Sequence, residues 1–263
     1  MNSPNTINTD PPKITALLIT SNEEKHIDDV IPNISFADEI IVVDSLSTDS
    51  TLEKLSKYPN VQVIEHKFKN FADQRNFAIS KASHNWILFI DADERITDPL
   101  RNEIIDRLKQ DSDVVAYKFP RNFIFQNKKM RFSGLQTDYI YRLFNKDCAS
   151  YRKDLIVHEL LKVNGISATL KNELWHYSYS DYDSYKEKAK HYAELKALEL
   201  YNKGKKPNAF DFYIRPAYKF LYNYIFRLGF LDGKPGYIIC KLYAYGVTHR
   251  YKKLSQLILS SKE

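Results

Sequence analysis

The residues Asp91-Ala92-Asp93-Glu94 follow directly on the apolar run Trp86-Ile87-Leu88-Phe89-Ile90. Two carboxylates one residue apart at a strand end can hold a hard divalent cation together with phosphate oxygens. Without a cation they would repel, each raising the other's pKa. Their other use would be as a capping cluster ahead of a helix at Thr97. A second polar cluster, Asp44-Ser45-Leu46-Ser47-Thr48-Asp49-Ser50-Thr51, follows the apolar run 39–43. Its hydroxyls and carboxylates can hydrogen-bond a ribose or a base edge. Asp49 or Ser50 can cap the next helix, whereas Asp44 lies too far upstream and is the better ligand candidate. A third cluster, Thr20-Ser21-Asn22-Glu23, follows the run 13–19, and Gln74-Arg75-Asn76 stands between the second cluster and the Asp91 pair.

The elements that must position these residues alternate. The apolar runs 13–19, 39–43, 61–64 and 86–90 read as strands, and 24–34, 50–57 and 70–82 as helices. Strands this short and continuously apolar suit a parallel sheet buried on both faces. In such sheets ligands bind beyond the carboxyl ends of the strands, which is where the polar clusters fall. After Asp91 the pattern changes. Thr97 is placed to cap a helix to Gln110, and 114–125 and 138–144 read as strands of a mixed sheet, with a turn at 126–129. Segments 181–202 and 207–228 read as helices parted by Gly204-Lys205-Lys206-Pro207, and 237–259 as a third after a turn at 232–236.

The 263 residues suit one large domain, or one domain with a helical extension. A content of 43% hydrophobic and 27% charged residues excludes a disordered chain. Two cysteines, Cys148 and Cys240, exclude a disulfide framework and a cysteine-based zinc site. With 7 glycines there is neither a Walker A pattern nor a G-x-G-x-x-G. ATPase, kinase and dinucleotide-dehydrogenase readings therefore start badly. The net charge of +6 is concentrated: from Arg215 onward 9 Lys/Arg face 2 Asp/Glu, and the rest is about neutral. Such an excess seeks an anionic surface. Met1 to Pro12 is polar, with no signal-peptide core, and reads as a disordered arm. No run approaches the ~18 apolar residues of a membrane span.

Four ordered motifs on four successive elements (strand–Thr20-Ser21-Asn22-Glu23, strand–Asp44-Ser45 to Asp49, Gln74-Arg75-Asn76 and strand–Asp91-Ala92-Asp93) make the chain resemble the family 2 glycosyltransferases. Closer likeness to bacterial lipopolysaccharide core β-1,4-glucosyltransferases rests on Val157-His158-Glu159-Leu160, Trp175-His176-Tyr177-Ser178-Tyr179 and Gly229-Phe230-Leu231-Asp232-Gly233-x-x-Gly236. The resemblance covers about residues 13–255. It implies the GT-A nucleotide-sugar-binding fold: a Rossmann-like, mostly parallel central sheet with a mixed later part, then a C-terminal helical extension. The domains expected are a catalytic domain over 13–180, with a nucleotide-binding half 13–94 and an acceptor half 95–180, and a basic, aromatic extension over 181–263. By resemblance Thr20, Asn22 and Glu23 line the nucleotide pocket, Asp44 with Ser45 and Ser47 contacts base or ribose, and Arg75 lies near the diphosphate or ribose. Asp91, Ala92 and Asp93 form the D-x-D segment, whose carboxylates position ribose and hold Mg²⁺ or Mn²⁺. His176 is a candidate further metal ligand, against a structural hydrogen-bonding role among its aromatic neighbours.

The resemblance implies inverting transfer of a hexose from a UDP-hexose donor. A base must take the proton of the attacking acceptor hydroxyl, a contribution of roughly 10²–10⁴ in rate. The family places an Asp of an acidic pair there; this chain has His158-Glu159 instead, and either could serve, Glu159 keeping the carboxylate chemistry. The acceptor implied is a lipopolysaccharide core sugar or related glycolipid, met by a cytoplasmic protein peripheral to the inner membrane. The basic, aromatic C-terminal segments would then lie on anionic lipid. Alternatives are a polyprenyl-phosphate, capsule or protein acceptor, a nucleotidyltransferase, or a basic nucleic-acid-binding module. A nucleotidyltransferase wants a Gly-rich triphosphate loop, and residues 20–25 hold no glycine. The nucleic-acid reading leaves the strand-end clusters without a use and lacks an RNP motif, so no nucleic acid is expected as partner.

Overall fold

Continuously apolar strands need cover on both faces, and the chain supplies it by alternating strand with helix. The computed structural model describes residues 11–110, 112–152, 161–179 and 182–261. The expected arm over 1–12 therefore lies almost wholly outside the described residues. The first half runs β1 (Ile14–Thr20), α1 (Glu24–Asn33), β2 (Glu39–Asp44), α2 (Thr51–Leu55), β3 (Val61–Glu65), α3 (Phe71–Lys81) and β4 (Trp86–Phe89). These strands are parallel in the order β3-β2-β1-β4. Side chains of β1 divide by the two-residue strand period. Ala16 and Leu18 enter one hydrophobic cluster with Ile27 and Val30 of α1, and Leu17 enters another with Ala72 and Ala78 of α3. Trp86 is half-buried against this core and packs its ring 6.0 Å from Tyr117.

The second half carries β5 (Glu94–Ile96), α4 (Asp98–Lys109), β6 (Val114–Phe125), β7 (Lys128–Lys129), β8 (Asp138–Asn145), β9 (Ala149–Tyr151), β10 (Leu161–Val163), β11 (Ile166–Thr169) and β12 (Leu174–Tyr179). The sheet continues from β4 through β8, β6 and β12 to β5; β7 and β11 pair with β6, and β9 with β10 alone. Pairing of β8 to β4 and of β12 to β5 is antiparallel. Thr97 caps α4 as expected, its Oγ1 accepting from Leu100 N at 3.3 Å. The short strands β5 and β9 to β12 escape sequence reading because, unlike β1, β2 and β4, they carry no continuous apolar run.

Next come α5 (Tyr182–Asn202), a helical run with wide π-type turns at Phe210–Ile214 and Tyr222–Phe226 around α6 (Arg215–Leu221), a 3-10 turn at Gly229–Asp232, and α7 (Lys234–Ser260). The third C-terminal helix thus starts three residues earlier than expected. Pro235 suits a first turn, where a missing N–H costs nothing. The chain divides into two compact units. One runs to Arg121 with Tyr139–His176, the other is Asn122–Asp138 with Tyr177 onward. The structural division assigns 122–138 to the unit of the C-terminal helices.

The Gly229-to-Gly236 motif has a packing role within the second unit. Buried Asp232 accepts from Arg131 N at 3.1 Å, Phe132 N at 3.0 Å and Ser133 Oγ at 2.9 Å. A Cβ on Gly236 would overlap the Gly229 carbonyl oxygen and stand 2.7 Å from Asp232 Cβ. Gly236→Ala should therefore cost about 1–3 kcal/mol through overpacking. Urea unfolding reads this directly, and an unchanged midpoint would show the turn to be slack. Among the described residues no helix is long and apolar enough to cross a membrane.

Candidate active site

The parallel register sets Thr20 beside Asp44 at the carboxyl ends of β1 and β2. Thr20 Oγ1 donates to Asp44 Oδ1 at 2.8 Å, and Ser47 donates through its N to Oδ2 at 2.7 Å and through its Oγ to Oδ1 at 2.6 Å. Asp44 is fully buried. Asp44 thus holds the turn after β2, a duty that distance from the helix start does not reveal, because an Asp side chain bonds the backbone a few residues on. Asn22 adopts φ +58°, a left-handed conformation that Asn tolerates. Its N donates to Ser47 Oγ and its Oδ1 accepts from Thr48 N, both at 2.8 Å. Glu23 N donates to Thr51 Oγ1 at 2.8 Å. Asp49, not Ser50, closes the start of α2, its Oδ1 accepting from Thr51 N at 3.0 Å. Two polar clusters far apart in sequence are thus laced into one loop layer.

Helix α3 connects this layer to the Asp91 pair. Its start is fixed by Asn70 Oδ1, which accepts from Asp73 N at 2.9 Å. Gln74 Nε2 then donates to Ser45 Oγ at 3.0 Å and to the His66 carbonyl at 3.2 Å. The next residue, Arg75, donates to Asp91 Oδ1 at 2.8 Å and lies over the Phe89 and Tyr151 rings at 4.7 and 5.3 Å. Arg75 is buried.

Around Asp91 the charges form a network that sequence reading missed. Arg142 of β8, 1% exposed, donates to Asp91 Oδ2 and to Glu94 Oε1, the latter at 2.7 Å. Glu94 is fully buried; its Oε1 also faces Arg121 Nη1 at 3.3 Å, and its Oε2 accepts from Asp91 N at 3.1 Å. Burial alone would push the Asp91 carboxyl up, but the Arg142 and Arg75 guanidinium groups hold it well below the usual carboxylate range. The one available signal was a charge, Arg142, inside the otherwise strand-like Asp138-Tyr139-Ile140-Tyr141-Arg142-Leu143-Phe144. Ala92 is buried, and its carbonyl accepts from Arg95 Nη1 at 2.7 Å.

Asp93 points elsewhere. Strand β12 pairs antiparallel with β5 and sets His176 opposite Glu94. The His176 Nε2 then stands 3.2 Å from Asp93 Oδ2. The structure therefore brings together Asp93 and His176, with His176 close enough to Asp91 to help hold its carboxyl down, while Arg75 ties Asp91 to the α3–loop layer. A carboxylate and an imidazole converging at one point are suitable donors for Mn²⁺, and for Mg²⁺ through the carboxylate. Two protein donors also leave positions that substrate phosphates commonly fill. Among the described residues no group of three or more His, Cys, Asp or Glu forms a complete protein cage. His158 and Glu159, the candidate bases, lie outside the described residues.

The sequence model of glycosyl transferase family 2 matches residues 15–166. An uncharacterized glycosyltransferase of Rickettsia typhi is 28% identical over 95% of this chain and 89% of its own length. The lipopolysaccharide core biosynthesis glycosyltransferase LpsC of Rhizobium meliloti is 25% identical over 90% and 93%. Among solved structures, a mannosyltransferase from Pyrobaculum calidifontis aligns over 96% of this chain and 76% of that one, with 16% identity and a TM-score of 0.49. At that distance the likeness carries no functional weight. The family match spans the parallel strands, both polar strand-end clusters and the Asp91-Ala92-Asp93 segment, and the chain belongs to glycosyl transferase family 2: it is a glycosyltransferase of GT-A fold.

Proposed function

We propose that the chain transfers a hexose, glucose, with inversion from a UDP-hexose to a lipopolysaccharide core sugar or related glycolipid. The Asp93–His176 pair beside an arginine-clamped Asp91 is the observation that carries the metal-dependent donor site. In this reading Asp93 and His176 hold Mg²⁺ or Mn²⁺. The cation, when bound, supplies Lewis-acid stabilisation of the departing diphosphate. Asp91, oriented by Arg75 and Arg142, faces the ribose. The layer of Thr20, Asn22, Glu23, Asp44, Ser45 and Ser47 holds the nucleotide end, and its internal hydrogen bonds mean that little reorganises on binding. Glu159, or else His158, takes the acceptor proton. The glycolipid acceptor is supported by the name of the Rhizobium relative and by the basic excess after Arg215. Work at such an acceptor implies a protein peripheral to the cytoplasmic side of the inner membrane.

A thermal-shift panel of nucleotide sugars tests the donor, because a ligand that binds only the folded state raises the melting temperature. UDP-glucose should raise it with Mn²⁺ present and much less with chelator. No shift with any UDP-sugar would sink the donor reading. Glu159→Gln should lower turnover by ~10² or more with donor affinity almost unchanged. Calorimetry with donor and a sugar-transfer assay check this. A loss confined to donor affinity would move Glu159 from the base role into nucleotide binding.

A further inference from the structure

The helical run from Phe210 to Phe226 packs Phe212 inward against Tyr251 but leaves much of its apolar surface outside. The side toward its own unit buries Pro216 with two polar residues, Asp211 at 1% and Asn223 at 3% exposure. Both are satisfied there: Asp211 accepts from Arg215 Nε at 2.5 Å, and Asn223 Nδ2 donates to the Lys219 carbonyl at 2.7 Å. The opposite side presents Tyr213, Ile214, Tyr218, Leu221, Ile225 and Phe226, with Tyr213 75% and Phe226 74% exposed. Their helical spacing keeps them on one stripe. Tyr218, Tyr222 and Phe226 stack along it, with ring centroids 5.7 and 6.3 Å apart. The exposed apolar surface continues into Leu228, Phe230, Leu231 and Tyr237. A contiguous patch of this kind marks a contact surface rather than a solvated face.

Charge says what covers it. Between residues 207 and 261 the only carboxylates are Asp211 and Asp232, and both are buried and hydrogen-bonded. The exposed ionic groups nearest the stripe in sequence are Arg215, Lys219 and Lys234, all basic. Aromatic and aliphatic side chains bordered by cations alone match the boundary of an anionic bilayer. A second copy fits less well, since isologous pairing would set these cations against one another. Helix α7, which carries much of the basic excess, turns Ile239, Leu242 and Leu254 into its own unit and is a packed helix.

We infer that the Phe210–Tyr237 stripe is an interfacial face that inserts its apolar side chains at the headgroup boundary of an anionic membrane. Arg215, Lys219 and Lys234 meet the lipid phosphates there. The inference deepens, and rests on, the proposed glycolipid acceptor. It differs from simple electrostatic adsorption, because insertion survives screening. The full chain should co-sediment with vesicles of phosphatidylglycerol and phosphatidylcholine in equal parts. A substantial fraction should stay bound in salt that shortens the Debye length to about 3 Å. The variant Ile214→Ser, Leu221→Ser, Ile225→Ser, Phe226→Ser should lose roughly tenfold or more in vesicle partitioning at both salt levels. Its fold is checked by circular dichroism, and its transfer to a short soluble acceptor should stay at the parental rate. A second variant, Lys241→Gln, Arg250→Gln, Lys252→Gln, Lys253→Gln, should weaken binding only at low salt. Equal sedimentation of the Ser variant and the parent overturns the inference while leaving the enzymatic reading intact. So does a parent that ignores vesicles but sediments as a dimer that the Ser changes dissociate. Absence of sugar transfer in the parent, with vesicle binding as described, overturns the enzymatic reading and leaves the surface standing.

Discussion

Asp93→Asn should reduce sugar transfer by about 10²–10³, the scale seen when one electrostatic stabiliser of a transition state is removed. The substitution keeps the shape of the side chain and removes the charge that a hard cation requires. Asp93 is the apt position because its partner is an imidazole, His176 at 3.2 Å. Asp91, by contrast, is already engaged by two guanidinium groups. Stability should change little, since the Asp93 side chain is partly exposed and the amide keeps its size. Turnover measured across a Mn²⁺ titration checks the prediction, together with a melting curve of the apo protein. His176→Ala should shift the Mn²⁺ dependence to higher concentration with a smaller loss at saturation. Equal turnover of Asp93→Asn and the parent, with or without chelator, would remove the metal role.

Arg142→Met should cost about 3–5 kcal/mol of folding stability, the range for breaking a buried ion pair from one side. The size of the effect follows from what remains. Glu94 is fully buried and among the described residues would keep only Arg121, at 3.3 Å, as cationic partner, while Asp91 would keep Arg75. The double change Arg142→Met with Glu94→Gln should cost less than the two single changes added, because it removes both ends of one interaction. The pH dependence has a defined sign. The folded-state pKa of Asp91 is depressed, so its contribution is full above the ordinary carboxylate range and is lost progressively as pH falls from that range through the depressed value. Without Arg142 that pKa moves back toward the ordinary value, so the acid-side loss of stability due to Asp91 should be smaller and be complete at a higher pH. Urea unfolding over a pH series measures both effects. An additive double variant, or an acid limb identical to the parent's, would show that Arg142 does not govern this network.

Local pattern was enough for much of this protein. The β-α alternation before Asp91 is legible because buried parallel strands are continuously apolar and end in polar loops, which places the ligand-facing ends on one edge. Thr97 was legible as a cap from chemistry within three residues. Asp91 and Asp93 were legible as a pair from adjacency alone. Their different partners were not. Arg142 reaches Asp91 through the antiparallel pairing of β8 with β4, and His176 reaches Asp93 through that of β12 with β5. Strand register is decided by which faces can be buried together, a property of the assembled sheet that no single segment carries. The same limit applies to Asp44, whose hydrogen bonds come from a neighbouring strand and a folded-back turn. It applies most to the Phe210–Phe226 run. Its sequence announces a helix rich in aromatic and apolar residues, and the ordinary expectation is that this side is buried. Only the tertiary packing decides that Asp211 and Asn223 face inward, because their polar atoms find partners there, and so leaves much of the apolar surface outward.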